Sequence, residues 1–443
     1  MRAVLPAAVG FSEEQLVHLW EGQRFPPEAL ATREGQLLQA VHRGRRGRGP
    51  GPDFRDAIIA TADGRLLQGD VELHVRASDF RAHGHHLDPA YDGVVLHVVF
   101  RDDDGEETLL ASGARAAVVA LAPWVARRAA DLEEWLSTVA RWREPCHSAL
   151  PRLGRDEVAA ALDRMGDRRF AQKVTAFGRA LRTTDSEQLL YGALLQAMGY
   201  GSDGAAFGAL AARAPWSWLR QALLATPSGQ RVEVAEALLL GAAGLLAPGG
   251  SRYGERLRRR WRATGGVASL PAHLWRASGA RPANHPQRRM AGLARLLAGY
   301  AQQGLLTGLR QAVTATAGDP ASLVAALTVA ADGFWAGHLD LSGRPWQRAP
   351  ALIGPGRAVE VATNAALPFL AAWSQAHGDW RLEEAALALY RRLPRPSPYG
   401  IVAFLEANLN DATLLRSARR QQALLYLLQS YCRRGGCGRC PLS

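Results

Sequence analysis

The sequence predicts an α+β protein, with a small mixed domain at residues 1–115 and a large all-α domain at residues 116–430. Short helical and β segments alternate before about residue 115, whereas apolar side chains recur at the 3.6-residue helical period after about residue 117. The length of 443 residues suits two or three domains, and an apolar fraction of 48% excludes a disordered chain. Residues 431–443 form a separate cysteine-rich knuckle in this interpretation.

The N-terminal domain is expected to run helix, strand, strand, strand, helix, strand. Ser12 fits the N-cap of the first helix, which carries the apolar stripe Leu16, Leu19 and Trp20. Strands are predicted at residues 36–41, 54–61, 65–76 and 94–100, with a hairpin turn at residues 62–64. A short polar, helical crossover fills residues 78–91.

The second domain is predicted to contain helices at residues 155–181, 187–198, 232–246 and 411–429. No fixed-period repeat is present, which excludes a regular solenoid and leaves an irregular bundle or superhelix.

Composition also restricts the partners. The longest uncharged apolar stretch in the middle of the chain, residues 237–247, is too short to cross a bilayer, and no secretion signal is evident, so we expect a cytoplasmic protein without a membrane partner. The net charge of +12 favours nucleic acid modestly, because Lys173 is the only lysine and the arginine excess is typical of compositional bias. The oligomeric state stays open.

Ionisable side chains alternate along the third predicted strand. Asp70, Glu72 and His74 are two residues apart, so they share one face, and Asp53 starts the preceding strand. If that face meets solvent, the pattern is ordinary and the apolar alternate residues form the core. If it faces inward, the three residues indicate a functional site.

The order of elements, with Pro52-Asp53 on one strand and Glu72-Leu73-His74 on the next, resembles the core of PD-(D/E)XK nucleases. The resemblance implies divalent-metal hydrolysis of phosphodiester bonds in DNA, less favourably in RNA. The catalytic residues it implies are Asp53, Glu72 and His74.

In this interpretation Asp53, Glu72 and the Leu73 carbonyl hold Mg²⁺ or Mn²⁺, with Asp70 as a further ligand or support. His74 stands where the family has lysine, and it would position or activate a water. Two alternatives remain: an inactive nucleic-acid-binding scaffold, and a metal hydrolase that uses the His/Asp cluster of the crossover on another substrate.

That crossover and the strand after it are rich in histidine and other polar side chains. His83 and His86 are three residues apart and would share a helix face, which allows a transition-metal site. A solvated polar helix with one hydrogen-bonded core histidine explains the pattern equally well. The secondary site candidates are His83, His86, Asp88, Tyr91 and His97.

A glycine-rich basic loop precedes Asp53, and arginines on such a loop suit phosphate contact, although solvated surface is the alternative. The predicted nucleic-acid contacts are Arg43, Arg45, Arg46 and Arg48.

The cysteines are unevenly placed, with Cys146 alone and Cys432-x4-Cys437-x2-Cys440 at the C-terminus. Four thiolates would hold Zn²⁺ or a [4Fe–4S] cluster, and the arrangement resembles the iron–sulfur staple of some helicase- and CRISPR-associated nucleases. The alternative is reduced thiols on a tail.

Over nearly its full length the chain resembles an uncharacterised bacterial family known only as a domain of unknown function, which implies no established activity. The landmarks include Gly51-Pro52-Asp53-Phe54, Gly69-Asp70-Val71-Glu72-Leu73-His74, His83-Gly84-His85, Leu96-His97-Val98-Val99 and Leu367-Pro368-Phe369.

Overall fold

The structure, a computed structural model, describes residues 11–23, 29–47, 51–126, 145–199, 203–264, 267–275, 284–316, 318–347, 349–434, 436 and 438–443. The chain divides into two compact units, one formed by residues up to Arg152 together with those from Leu427 onward, and the other by Leu153–Tyr426. The first contains a mixed sheet and the second is helical, which confirms the α+β fold class.

Among the described residues, the sheet of the first unit has seven strands, in the spatial order β1-β3-β4-β5-β7-β6, with β2 paired to β3. The β1–β3 and β3–β4 pairs are antiparallel, whereas β4–β5 and β5–β7 are parallel. The strands are β1 (Leu38–His42), β2 (Arg45–Arg46), β3 (Phe54–Thr61), β4 (Leu66–Arg76), β5 (Val94–Arg101), β6 (Thr108–Leu109) and β7 (Arg115–Ala120).

Helix α1 (Glu13–Gly22) covers one face of this sheet. Ser12 caps it through a reciprocal pair of bonds with Gln15, and Leu16, Leu19 and Trp20 are fully buried in one apolar core with β4 residues such as Val71. The odd-numbered side chains of central β4 therefore face α1, and the even-numbered ones face the opposite side.

The crossover from β4 to β5 covers that opposite side. It consists of helix α2 (Asp79–Ala82) and the 3₁₀ turns His85–Leu87 and Pro89–Tyr91. A parallel β4–β5 pair requires such a crossover, because a tight hairpin can join only antiparallel strands.

The sheet continues beyond the predicted segment, since β7 crosses residue 115. Val118 and Val119 pair with His97 and Val98 of β5. The residues of β7 after position 115, whose apolar spacing we interpreted as helical, form a strand because they pair with β5.

The C-terminal residues pack within the first unit. Leu442 is 1% exposed, and Arg152 Nη2 donates a hydrogen bond to its carbonyl at 3.2 Å. Arg433 Nε lies 3.2 Å from Asp56 Oδ1.

The helices predicted at residues 155–181 and 187–198 are present as Arg155–Ala180 and Ser186–Met198. The helix predicted at residues 232–246 ends at Ala242, and Gly244 follows with a φ of +72°. No described helix combines the length and the apolar character needed to cross a membrane. The helices are α3 (Ala122–Ala126), α4 (Ala149–Leu153), α5 (Arg155–Ala180), α6 (Ser186–Met198), α7 (Gly204–Arg213), α8 (Trp216–Leu224), α9 (Arg231–Ala242), α10 (Arg252–Ala263), α11 (Pro286–Tyr300), α12 (Leu305–Ala315), α13 (Pro320–Leu327), α14 (Pro355–Val361), α15 (Leu367–His377), α16 (Trp380–Arg392), α17 (Ala403–Leu409) and α18 (Ala418–Ser430), and a π-helical turn, Ala362–Ala366, joins α14 to α15.

Candidate metal centre

Two carboxylates meet across strands β3 and β4. Phe54 pairs with Val71, so the next position brings Asp53 opposite Glu72. The Asp53 backbone N–H donates to Glu72 Oε2 at 2.9 Å, and the Leu73 N–H donates to Asp53 Oδ2 at 3.0 Å. Each strand thereby fixes the carboxylate of the other.

The face that carries Glu72 and His74 is inside the protein, because these residues are only 5% and 1% exposed. The alternative in which this face meets solvent therefore does not hold. Asp70 is half-buried, and its Oδ1 accepts the Asp56 N–H at 3.1 Å beside a bulge in β3, so its role as a further ligand or support stays a prediction.

His74 is the centre of a chain of imidazoles. Its Nδ1 lies 3.0 Å from His97 Nε2, and its Nε2 lies 3.2 Å from His83 Nδ1. Behind it, His97 Nδ1 lies 2.8 Å from Thr108 Oγ1. If His97 donates to Thr108 and His74 donates to His97, His74 Nε2 keeps its lone pair for a ligand.

Glu72 joins this imidazole group to the carboxylate pair. Its Oε1 lies 3.4 Å from His85 Nε2 and 3.8 Å from His74 Nε2. The ligand atoms of His74, His83 and His85 all lie within 4.8 Å of one another, and theirs is the one such group of three in the part of the chain that the structure describes. We call Glu72, His74, His83 and His85 the carboxylate–imidazole centre.

The spacing of these atoms suits a small divalent ion. Ligands about 2.0–2.1 Å from a tetrahedral ion are roughly 3.3 Å apart, close to the separations of 3.2, 3.4 and 3.8 Å found here. Three imidazoles and one carboxylate oxygen are donors for Zn²⁺ or Mn²⁺ more than for Mg²⁺, which prefers an all-oxygen shell.

Burial also sets the protonation of the centre. It lowers the pKa of His74 to about 3 and lowers that of His85, so these imidazoles are neutral, as ligands must be. Burial and the neighbouring Asp53 carboxylate raise the pKa of Glu72 to about 8. Without an ion Glu72 therefore keeps its proton at neutral pH, and a bound cation would favour its ionised form.

Local backbone and ring packing position His83 and His85. Helix α2 ends at Ala82, and Gly84 has a φ of +76°, so the chain turns between the two histidines and brings His83 to His74 and His85 to Glu72. The His85 ring stacks on Tyr91 with centroids 3.9 Å apart. His83 and His86 do not share a helix face as predicted, because α2 ends at Ala82 and His86 lies in the 3₁₀ turn His85–Leu87.

The other secondary candidates have distinct places. His97 is fully buried behind His74, and Asp88 Oδ1 accepts the Ala90 N–H at 2.9 Å as the cap of a 3₁₀ turn. His86 lies outside the group of three. Sequence reasoning counted His85 only among the polar residues of the crossover and did not name Thr108, although the His-Gly-His spacing around a turn glycine was a usable signal for His85.

The basic loop is largely internal. Arg43 and Arg45 are 7% and 9% exposed, and Arg45 Nη1 lies 2.6 Å from Asp56 Oδ2. Arg46 has a 54% exposed side chain, and its charge acts on the Asp53 carboxylate, lowering a pKa that burial raises. Arg48 lies outside the described residues, and of the loop arginines that are described Arg46 is the best placed for a phosphate.

The predicted cysteine centre stays a prediction. Cys146 and Cys432 are buried, Cys440 is half-buried, and Cys437 lies outside the described residues.

A family model described as "Protein of unknown function (DUF2851)" matches residues 13–397. The chain belongs to the DUF2851 family. The DUF2851 match contains the whole carboxylate–imidazole centre, whereas Cys432, Cys437 and Cys440 lie beyond its end. No curated protein and no solved structure matches the chain.

Proposed function

We propose that this DUF2851 chain is a metal-dependent hydrolase of phosphodiester bonds, with DNA as its substrate in preference to RNA. The observation that carries the proposal is the approach of Glu72 Oε1 to His85 and His74 beside the Asp53 carboxylate. The donor set favours Mn²⁺ or Zn²⁺ over the Mg²⁺ expected from carboxylates alone.

Glu72, His74, His83 and His85 would hold the ion. When bound, the ion would polarise a phosphate oxygen and supply a water of lowered pKa at a further position, which a Mn²⁺ shell offers and which Zn²⁺ gains by expanding to five ligands. Asp53 uses Oδ2 to accept the Leu73 N–H, so its Oδ1 is the oxygen that would ligate or accept a proton from that water.

His74 takes a ligand's role in this proposal. The lysine of the nuclease pattern supplies a permanent cation, whereas burial lowers the pKa of His74 to about 3 and keeps it neutral. The positive charge for the phosphate would come from the ion and from Arg46, which is exposed near Asp53.

The neutral His74 also favours a second candidate function, nucleic-acid binding without cleavage. Without the positive charge that the family's lysine supplies, the site could have lost hydrolysis. Arg46 and the net charge of +12 would still bind nucleic acid.

The test uses the full chain, stripped with EDTA and supplied with Mn²⁺ or Zn²⁺, on supercoiled plasmid and on single-stranded DNA and RNA. We expect nicking of DNA, and a loss of about 100-fold or more in Asp53→Asn and Glu72→Gln, because the ion supplies several kcal/mol of transition-state stabilisation. Asp63→Asn, in the exposed β3–β4 turn, is the matched control and should keep full activity.

A mobility shift without cleavage would select the second candidate. An inactive protein that binds neither nucleic acid nor ion would contradict both.

A further inference from the structure

A cavity of about 540 Å³ lies within the second unit, and none of its lining residues belongs to the carboxylate–imidazole centre. Its apolar wall includes Phe177 of α5 and Leu425 of α18, and Ala193 and Ala197 leave the space open on α6. Its size is that of ligand-binding cavities for small organic molecules.

The polar part of the wall is built on an internal hydrogen-bond network. Glu360 is 4% exposed, and its Oε2 accepts from the Tyr399 hydroxyl at 2.6 Å and from Asn364 Nδ2 at 2.9 Å. Gln422 is 1% exposed, and its Oε1 accepts from Lys173 Nζ at 2.9 Å and from Arg169 Nε at 2.8 Å.

This network makes its members rigid. Gln422 Nε2 donates to the Tyr399 hydroxyl at 3.2 Å, and Lys173 Nζ donates to Asn364 Oδ1, so the bonds form a closed ring from Gln422 through Tyr399, Glu360, Asn364 and Lys173. Asn364 comes from the π-helical turn Ala362–Ala366, and such turns are frequent at functional sites. A preorganised polar wall loses little entropy when a ligand binds.

The charge of the wall is positive. Arg169 lines the cavity, and none of the described lining residues is acidic. Glu360, the carboxylate of the network, is turned to Tyr399 and Asn364. Lys173 is the only lysine of the chain, and burial holds its pKa well below the ordinary value, which leaves Arg169 as the permanent cation here.

We propose that this cavity binds a small organic anion with an apolar body, its charged group contacting Arg169 and its body packing between Phe177, Ala197 and Leu425. Arginine recognises planar oxyanions through paired N–H donors, and the apolar wall suits an alkyl or aryl chain. The proposal is independent of the metal centre in the first unit.

The test needs no knowledge of the natural ligand. The full chain is titrated with 8-anilinonaphthalene-1-sulfonate, an aryl anion that fluoresces in apolar sites, and the bound probe is displaced with octanoate or with its neutral analogue octanamide. We expect one saturable site per chain, and displacement by octanoate at a concentration about 10-fold or more below that of octanamide, since a charged hydrogen bond is lost with the amide.

Two variants locate the site. Ala193→Trp fills the cavity and should abolish the saturable binding, and Arg169→Met should abolish the preference for octanoate. Arg168→Met removes a neighbouring exposed arginine of the same helix and should change neither property. Circular-dichroism melts of each variant report whether it is folded.

Equal displacement by octanoate and octanamide on the unmodified chain would overturn the proposal without any variant. Saturable binding that survives in folded Ala193→Trp, or the absence of saturable binding, would overturn it as well.

Discussion

His74 is held from behind by His97 and Thr108, and this support decides which of its nitrogens is available. Metal-ligating histidines in proteins usually donate their second ring N–H to such a partner, which fixes the ring and its tautomer. The sequence could place His74 on the face of Glu72 by strand alternation alone. It could not place Thr108, because that contact depends on β6 pairing with β7, which returns Thr108 to His97.

Thr108→Val tests this support. Valine keeps the shape of threonine but leaves His97 Nδ1 without the hydroxyl 2.8 Å away, so the orientation of His74 is less fixed. We expect Zn²⁺ affinity to fall by about 10-fold, measured by competition with a chromophoric chelator. Thr61→Val on β3 is the control. Equal affinities in the two variants would show that the hydroxyl has no such role.

Glu72 makes the metal-free protein sensitive to pH. Its pKa is about 8 when folded and near 4.5 when unfolded, so between these values only the folded state retains the proton. The free energy of unfolding should therefore fall as pH rises from about 4.5 to about 8, with a cost of a few kcal/mol at the upper end.

In Glu72→Gln this loss is absent, so the variant should gain stability over the unmodified chain from pH 5 to pH 8 in urea titrations with EDTA. Glu107→Gln, a change at an exposed side chain, should show no such gain. A stability difference that is constant with pH would contradict the buried state of Glu72.

At the scale of elements, the close approach of β4 and β5 places His97 against His74. Gly69 permits this approach, because a Cβ there would lie 2.4 Å from Val95 Cγ1 and 2.5 Å from the Gly93 carbonyl oxygen. The backbone oxygen cannot yield without moving β5, whose His97 supports His74.

Gly69→Ala is therefore expected to lower the free energy of unfolding by about 1–3 kcal/mol in urea titrations, and to weaken Zn²⁺ binding as well. Gly178→Ala on α5 has open space and should instead stabilise by about 0.5–1 kcal/mol. If Gly69→Ala left the free energy of unfolding unchanged, the two strands would tolerate separation, which would contradict this account.

The elements near the centre were predictable where local patterns agree with the fold. The Ser12 cap, the turn at residues 62–64 and the apolar run of β5 are local signals, and the structure has α1, β3 and β5 where they indicate. Strand β7 was missed because its residues become a strand only through pairing with β5. The turn at Gly84, which brings His85 to Glu72, likewise needs the crossover to be packed.

At the scale of the whole molecule, residues from both ends of the chain form the first unit. Leu442 is 1% exposed there, so Leu442→Ala should lower the free energy of unfolding by about 2–5 kcal/mol, measured by urea titration. Leu66→Ala, at a residue 56% exposed, should cost no more than about 0.5 kcal/mol. If Leu442→Ala lowered the free energy of unfolding as little as Leu66→Ala does, the C-terminal residues would not be part of that unit's core.

The most direct measurement is the anomalous diffraction of crystals of the full chain grown with Zn²⁺ or Mn²⁺. We predict one strong peak about 2.0–2.2 Å from Glu72 Oε1, His74 Nε2, His83 Nδ1 and His85 Nε2. No peak there, or an ion bound elsewhere while these imidazoles keep their hydrogen bonds to one another, would contradict the carboxylate–imidazole centre.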